Sequence, residues 1–504
     1  MSFGFGFGFT KITAAIRAAF SPSSLFAANE PGVWYDPSDL STLFQGSAGT
    51  VPVTAVEQPV GLMLDKSKGL ALGPELVTNG DFSNGSTNWS LNSWVVSGGV
   101  ATANNISNAS LRQSISLPSG SLYKIKFTIS NYSSGNATIV FTGGVGSDYS
   151  ATVSGNGEKT LLLKSSGART SFVIYCSTSS SYSVDNISVR ELPGNHAYQT
   201  TATSRPVLSA RVNQYLATET LATQNVTTLA AYYHLRFGGT GTITLSGTAT
   251  GVYSAGLHLI PCAAGTLTST VSGSVTKADL RVANDGANLP PYQRVNTATD
   301  YDTVGFPHYL RFDGVDDWLV TNTITPGTDK AQVFAGVRKL NDAAGNGMLV
   351  ETGDTYWTVN GFSVQAPTAS TDAGASSPFA NYYAVVGDGR GSTNEDFDVF
   401  NTQNVYPSPS TNTISAVFDR GAAPLSKTNL RVNGVVPTKV TGSFTGTAVT
   451  GNVLNTPLYI GCRAGTLFPF NGHLYSLIVR FGSNLPAATI EKTEKYINAK
   501  TRAY

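Results

Sequence analysis

Apolar side chains fall on alternate positions through Tyr309–Val320, at Leu310, Phe312, Trp318 and Val320, with Asp313-Gly314 between the two halves. A period of two puts one row of side chains on one face of an extended chain, and Asp-Gly is a turn pair, so the stretch predicts a strand, a turn and a strand closing a buried hairpin. The pattern returns in Pro457–Gly461 and in Gly472–Arg480, whose length and β-branched content predict central strands of a two-sheet sandwich. A helix is expected to close the chain, with Pro486 near its first position and Ala487, Ile490 and Ile497 on the face it lays on that sandwich.

Composition bears on what such a sandwich does. Only 12% of the 504 residues are charged and the formal net charge is +1, so the clustered Lys and Arg that phosphate backbones require are absent and nucleic acid is not an expected partner. No run of about eighteen apolar residues occurs, which leaves no candidate transmembrane helix. The N-terminus lacks a basic segment followed by an apolar run, so no secretory leader is expected. The three cysteines, Cys176, Cys262 and Cys462, lie far apart among apolar or small neighbours and read as buried hydrophobes. At roughly 100–200 residues per domain, a chain of this length predicts about three domains.

Beyond this point motifs carry a resemblance. Phe312-Asp-Gly-Val-Asp-Asp-Trp-Leu319, Leu458-Tyr-Ile-Gly461, Gly472–Val479 and the final helix resemble laminin-G-like, concanavalin-type jelly rolls of surface proteins and of tailed-bacteriophage virion proteins. The opening of that family, W-x-D-x-S-D, is matched by Trp34–Asp39, but its next motif is split: Asp65-Lys-Ser67 stands at one end and Gly194-Asn-His-Ala197 at the other. The resemblance therefore implies a discontinuous host domain, residues 31–73, 194–211 and 301–504, carrying inserts at 74–193 and 212–300. Insertion at exposed loops is cheap because loop-closure entropy grows slowly with length.

The first insert opens Glu75-Leu-Val-Thr-Asn-Gly-Asp-Phe82, reaches Trp89 and closes Ser183-Val-Asp-Asn-Ile-Ser-Val189, a combination that resembles the jelly roll of carbohydrate-binding modules. In that family a structural calcium is held near the opening motif and by an Asp of the closing strand. Asp185 matches the second ligand, while Ser83 stands where an acidic residue is usual. The second insert ends in Pro291-Tyr-Gln-Arg-Val295, which resembles a small β-sandwich recurrent in phage tail and other virion proteins. The fold class expected is all-β: three sandwich or jelly-roll domains, two of them inserted, with short terminal helices.

Residues 1–30 form a segment of their own. Phe3, Phe5, Phe7 and Phe9 alternate with glycines, either as a docking peptide that anchors the chain to another virion protein or as an unstructured tip, and Lys11–Phe20 has helical spacing. For recognition of a host-surface polysaccharide, flat rings among polar loop residues are needed. Trp89 and Trp94 in the first insert, and Tyr356, Trp357, Tyr382 and Tyr383 in the host, are the glycan-binding candidates, with core packing as the alternative for each. Asp313, Asp316 and Asp317 are the densest carboxylates and weak candidates for Ca²⁺, although strict alternation sets Asp316 and Asp317 on opposite faces. No cofactor is expected otherwise. No histidine pair has metal-ligand spacing, no Gly-x-Ser-x-Gly elbow occurs, and nothing marks an acid, base or nucleophile, so no enzymatic role is expected. The function these readings favour is a structural, oligomeric fibre or tail-tip component of a tailed-phage virion with a part in host recognition. The alternatives are a non-catalytic carbohydrate-binding adhesin and a head-decoration fibre.

Overall fold

The computed structural model describes residues 20–150, 152–283, 291–342, 346–353, 361–368, 381–386, 400–401, 406–423, 426–437 and 451–504. Those residues are almost entirely antiparallel β-structure, with one α-helix and three short 3₁₀ turns.

Two large sheets face each other across the host core. One has seven strands, in the order 207–209, 309–313, 471–480, 330–339, 410–419 and 428–432, with Gly32–Tyr35 also paired to the strand Asn471–Arg480. That strand is flanked on one edge by two short partners end to end: Leu310–Asp313 along its first half and Gly32–Tyr35 along its second. The facing nine-stranded sheet takes residues 43–44, 62–63 and 197–198 before 319–320, 458–460 and 348–352. Val33, Leu208, Leu310, Phe312, Val333, Leu349, Phe362, Leu474 and Val479 meet between the two sheets in one buried cluster.

Tyr309–Val320 is not a hairpin. Tyr309–Asp313 pairs with 207–209 and 471–474 in the first sheet, whereas Leu319–Val320 pairs with 198 and 459–460 in the second. The Asp313 carboxylate accepts the backbone N–H groups of Val315 and Asp316, and this side-chain turn carries the chain from one sheet to the other instead of folding it back on itself. Leu319 and Val320 are consecutive and both buried, while Trp318 is only half-buried, so the alternation does not run through the turn.

One carboxylate gathers the distant pieces of the host. Asp65, fully buried, accepts hydrogen bonds from the Trp34 N–H (2.9 Å), the Ser67 N–H (2.8 Å), the Ser67 hydroxyl (2.9 Å) and the Asn195 N–H (2.9 Å). Its own N–H donates to His196 Nδ1 at 3.0 Å, and His196 Nε2 lies 2.9 Å from the Leu192 carbonyl, which sets the Nε2–H tautomer. Burial holds His196 below the usual histidine range, so the ring stays neutral and serves as an acceptor.

The closing helix, Ala487–Thr501, covers the outer face of the seven-stranded sheet, where Ile497 joins Trp34, Phe334 and Ile478. Its buried positions are Thr493, Glu494, Ile497 and Thr501, with Ile490 half-buried; Ala487 is exposed, so the expected face holds at Ile497 and in part at Ile490 but not at Ala487. Glu494 receives Arg431 at 2.8 Å and the Ser415 hydroxyl. Gly336 lies beneath the helix, and a Cβ there would come within 2.6 Å of Thr501 and 2.9 Å of Ile497, so the close approach requires glycine.

Residues 90–191 form a separate two-sheet sandwich, five strands against five, around Trp89, Phe127, Phe141, Phe172 and Val184. Residues 224–282 form one five-stranded sheet. Its longest strand, Ala231–Gly247, breaks register between Phe237 and Thr242, with 275–282 alongside its first half and 265–272 alongside its second. Side chains from both halves, Leu235 and Leu245 among them, share one core.

Behind this sheet Gln293 and Asn213 form a buried pair. The Gln293 amide oxygen accepts the N–H groups of Val212 (2.8 Å) and Asn213 (3.0 Å), and its nitrogen donates to the carbonyls of Ala210 (2.9 Å) and Asp302 (3.0 Å). The Asn213 side chain donates to Ala278 and Gln293 carbonyls and accepts Tyr215 and Leu280 N–H groups. The Pro-Tyr-Gln-Arg-Val segment thus closes the second insert onto the host.

Candidate functional site

The proposed glycan-stacking rings fall into two groups. Trp89 and Trp94 are 7% and 4% exposed and belong to the core of the first insert, Trp89 donating its indole N–H to the Asn79 carbonyl at 2.9 Å. Tyr382 is fully buried in the host core, its hydroxyl bonded to Asn412. None of these three can present a ring face to a ligand: each fills volume between two sheets. Tyr356 and Trp357 lie outside the described residues, as do Phe3, Phe5, Phe7 and Phe9 and the side chain of Tyr383.

A cleft of about 660 Å³ opens instead where the first insert meets the host. The two bodies join through an apolar seam that includes Leu62, Leu64, Leu122, Leu162 and Leu192, and Asn322 donates across it to the Gly120 carbonyl at 2.8 Å. From the insert come Ser119, Ser147, Asp148, Tyr149, Lys164, Ser165 and Ser166; from the host come Ser47, Tyr198, Thr200 and Asn322. Tyr149 is 62% exposed on the short strand Asp148–Tyr149. Lys164 reaches across to Asn322 Oδ1 at 2.9 Å and lies 3.4 Å from the centre of the Tyr198 ring, and burial lowers its ammonium to about 8. Asp148 is held in place by Arg169 at 2.9 Å and by the Ser166 N–H; burial opposes its ionisation, but these partners hold the carboxyl below the usual range. The result is one exposed ring beside a concentration of hydroxyl, amide, carboxylate and ammonium groups, a lining that can stack a sugar face and exchange hydrogen bonds with its hydroxyls.

A second cluster lies at the sheet-to-sheet turn. Oxygens of Asp313, Asp316 and Asp317 approach within 4.8 Å of one another, because the turn is not a strand and does not obey alternation. Asp317 accepts the Asp313 N–H at 3.0 Å and Asp316 accepts the Ser204 hydroxyl at 2.8 Å. Burial first, then the neighbouring carboxylates, push Asp317 up to about 7. Hard oxygen donors of this kind suit Ca²⁺. Asp185, bonded to its own neighbour Asn186, belongs to no such group among the described residues.

With its pKa raised, Asp317 binds a proton more tightly folded than unfolded, so its contribution to stability is present near pH 4 and is lost as pH rises toward 7. Asp317→Asn is expected to raise stability at pH 8 by roughly 2 kcal/mol and to leave it unchanged near pH 4. Thermal melts at both pH values check this, and added Ca²⁺ at pH 8 should stabilise the wild type more than the variant. An unchanged melting temperature for the variant at pH 8 contradicts the assignment.

No protein-family model and no curated protein sequence matches the chain. Solved structures with local likeness include the receptor binding domain of botulinum neurotoxin D, at 10% identity and TM-score 0.25 over 40% of this chain and 47% of that one. Another is the tandem CBM22 domain of Paenibacillus barcinonensis Xyn10C, at 9% identity and TM-score 0.21, covering 43% of this chain and 99% of that one. The Trypanosoma rangeli sialidase in complex with the inhibitor DANA matches at 12% identity and TM-score 0.25 over 42% of this chain and 31% of that one. The chain spans about half the length of the toxin domain and a third of the sialidase. At these scores the matches add nothing to the β-architecture that the sheet pairings establish.

Proposed function

We propose that this chain is a non-catalytic saccharide-binding protein of a tailed-phage virion, a fibre or tail-tip component that presents its sandwiches to the host surface. The observation that carries the binding part is the cleft between first insert and host, with an exposed Tyr149 ring set among Asp148, Lys164, Tyr198 and Asn322. The cleft has room for a short oligosaccharide and an open mouth, as a surface polysaccharide requires. The virion placement is supported by the resemblance of the Pro291–Val295 segment and of the host motifs to virion proteins, and by the alternating Phe3–Phe9 segment as an anchor to a neighbouring virion protein.

Tyr149→Ala removes the stacking face without touching either core, and is expected to weaken binding to host surface polysaccharide by about tenfold or more while leaving the melting temperature unchanged. Glycan arrays and cell adsorption measure the binding. Equal adsorption by the variant rejects this cleft as the site. Mass spectrometry of purified virions tests the placement: polysaccharide binding by a protein absent from virions favours the adhesin reading, and reducing-end release from the polysaccharide overturns the non-catalytic one.

A further inference from the structure

The five-stranded sheet of the second insert ends on one side in a long open edge. Its strand Gly251–Cys262 pairs with Ala231–Gly247 alone, and no described residue pairs with its other side. Tyr232 turns its main-chain groups away from that strand, its carbonyl accepting the Ala283 N–H at 2.8 Å. Pro261, which faces Tyr232, therefore turns its own main-chain carbonyl outward, and by alternation Leu259 and Leu257 do the same. Side chains obey the same period. His258 and Ile260 sit opposite the core residues Leu235 and Tyr233, so Leu257 and Leu259 stand on the other face, where they are 51% and 58% exposed. An edge of this length is ordinarily guarded by a charge or by a proline within the run. This one carries no Asp, Glu, Lys or Arg, and its proline lies at its end.

We propose that a second copy of this chain pairs along this edge, antiparallel and about a two-fold axis at His258. That register sets Leu257 opposite the partner's Leu259, and Leu259 opposite the partner's Leu257. Both residues turn their main-chain groups to the seam, so each facing pair exchanges two N–H···O bonds, and four half-exposed leucines close on one face. A slip of one residue would bring the leucines against Gly256 and His258, whose main-chain groups point inward to the sheet. The chemistry of the strand favours its own copy as the occupant. Two-fold pairing brings each side chain against one from the same short run, where any charge would meet a like charge, and this run has none. Residues 254–262 overlap in this register, an edge about 30 Å long, which is at the small end of stable interfaces and calls for a reversible dimer. The edge shares no residue with the Tyr149 cleft, so the two readings fail separately.

Sedimentation velocity of the full chain over a range of concentrations tests it. The wild type is expected to pass reversibly from monomer to dimer. Leu257→Lys, which sets an ammonium at an exposed position on the seam, should weaken the dimer roughly tenfold or more and keep the native melting transition, while Tyr149→Ala dimerises as the wild type does. His258→Cys lies on the axis, where facing Cα atoms are about 4.5 Å apart, and should give a disulfide-linked dimer under mild oxidation; Ser254→Cys should not. The wild type, whose three cysteines are buried, is the control for both. A monomer at every concentration, which leaves the edge to a strand of some other protein, overturns the proposal. So does an oligomer that Leu257→Lys leaves intact, or equal cross-linking through positions 254 and 258. If Leu257→Lys loses its native melting transition, the cross-linking alone decides.

Discussion

Asp65→Ala is expected to cost the host sandwich about 3–5 kcal/mol, because it strands three backbone N–H groups and a hydroxyl in a buried place and removes the acceptor that links residues 34, 67 and 195. The loss should be local. Hydrogen exchange is expected to quicken in the Gly32–Tyr35 and Asn471–Arg480 strands, while Leu122–Ser134 in the first insert keeps its protection, since that sandwich has its own core. Uniform protection across both bodies, or a melting temperature within a degree of wild type, would show the carboxylate to be replaceable. Acid should act on the same place: His196 is held neutral when folded but protonates when unfolded, so its contribution is lost as pH falls below the usual histidine range.

Gln293→Leu is expected to be nearly as costly, about 3 kcal/mol, with little change in volume. It leaves the Val212 and Asn213 N–H groups and the Ala210 and Asp302 carbonyls without the amide that serves all four. The second insert should loosen at its root, and limited proteolysis should cut within 210–213 and 293–302 before it cuts the first insert. If the variant resists protease as the wild type does, the amide is not what holds the root.

The sequence made the fold class legible because alternation is a local property: Leu310 and Phe312, or Leu474 and Leu477–Val479, announce a buried strand without reference to anything else. Pairing is not local. Tyr309–Asp313 and Leu319–Val320 sit six residues apart yet find partners in different sheets, and only the Asp313 turn, easily mistaken for a hairpin turn, separates the two outcomes. The same dependence on neighbours hid the candidate sites. Trp89, Trp94 and Tyr382 drew notice as large rings near loops, but a ring's chemistry does not say which way it points, and these three point inward. Tyr149, Lys164 and Asn322 carry no motif, since their cleft exists only where two bodies dock.

The edge-to-edge pairing of Gly32–Tyr35 with Leu477–Arg480 also sets a timetable for synthesis. A nascent chain emerging N-terminus first holds complete cores for both inserts by about residue 300, so each can fold while the rest is still being made. The host cannot. Its first strand must wait, apolar and unpaired, for a partner more than four hundred residues downstream, and contacts of such long range form slowly. Each insert returns the chain to where it left, Ala197 pairing with Met63 and Leu208 with Leu310, so the folded inserts shorten the path between the waiting strand and its partner before the last strand and the helix close the sheet.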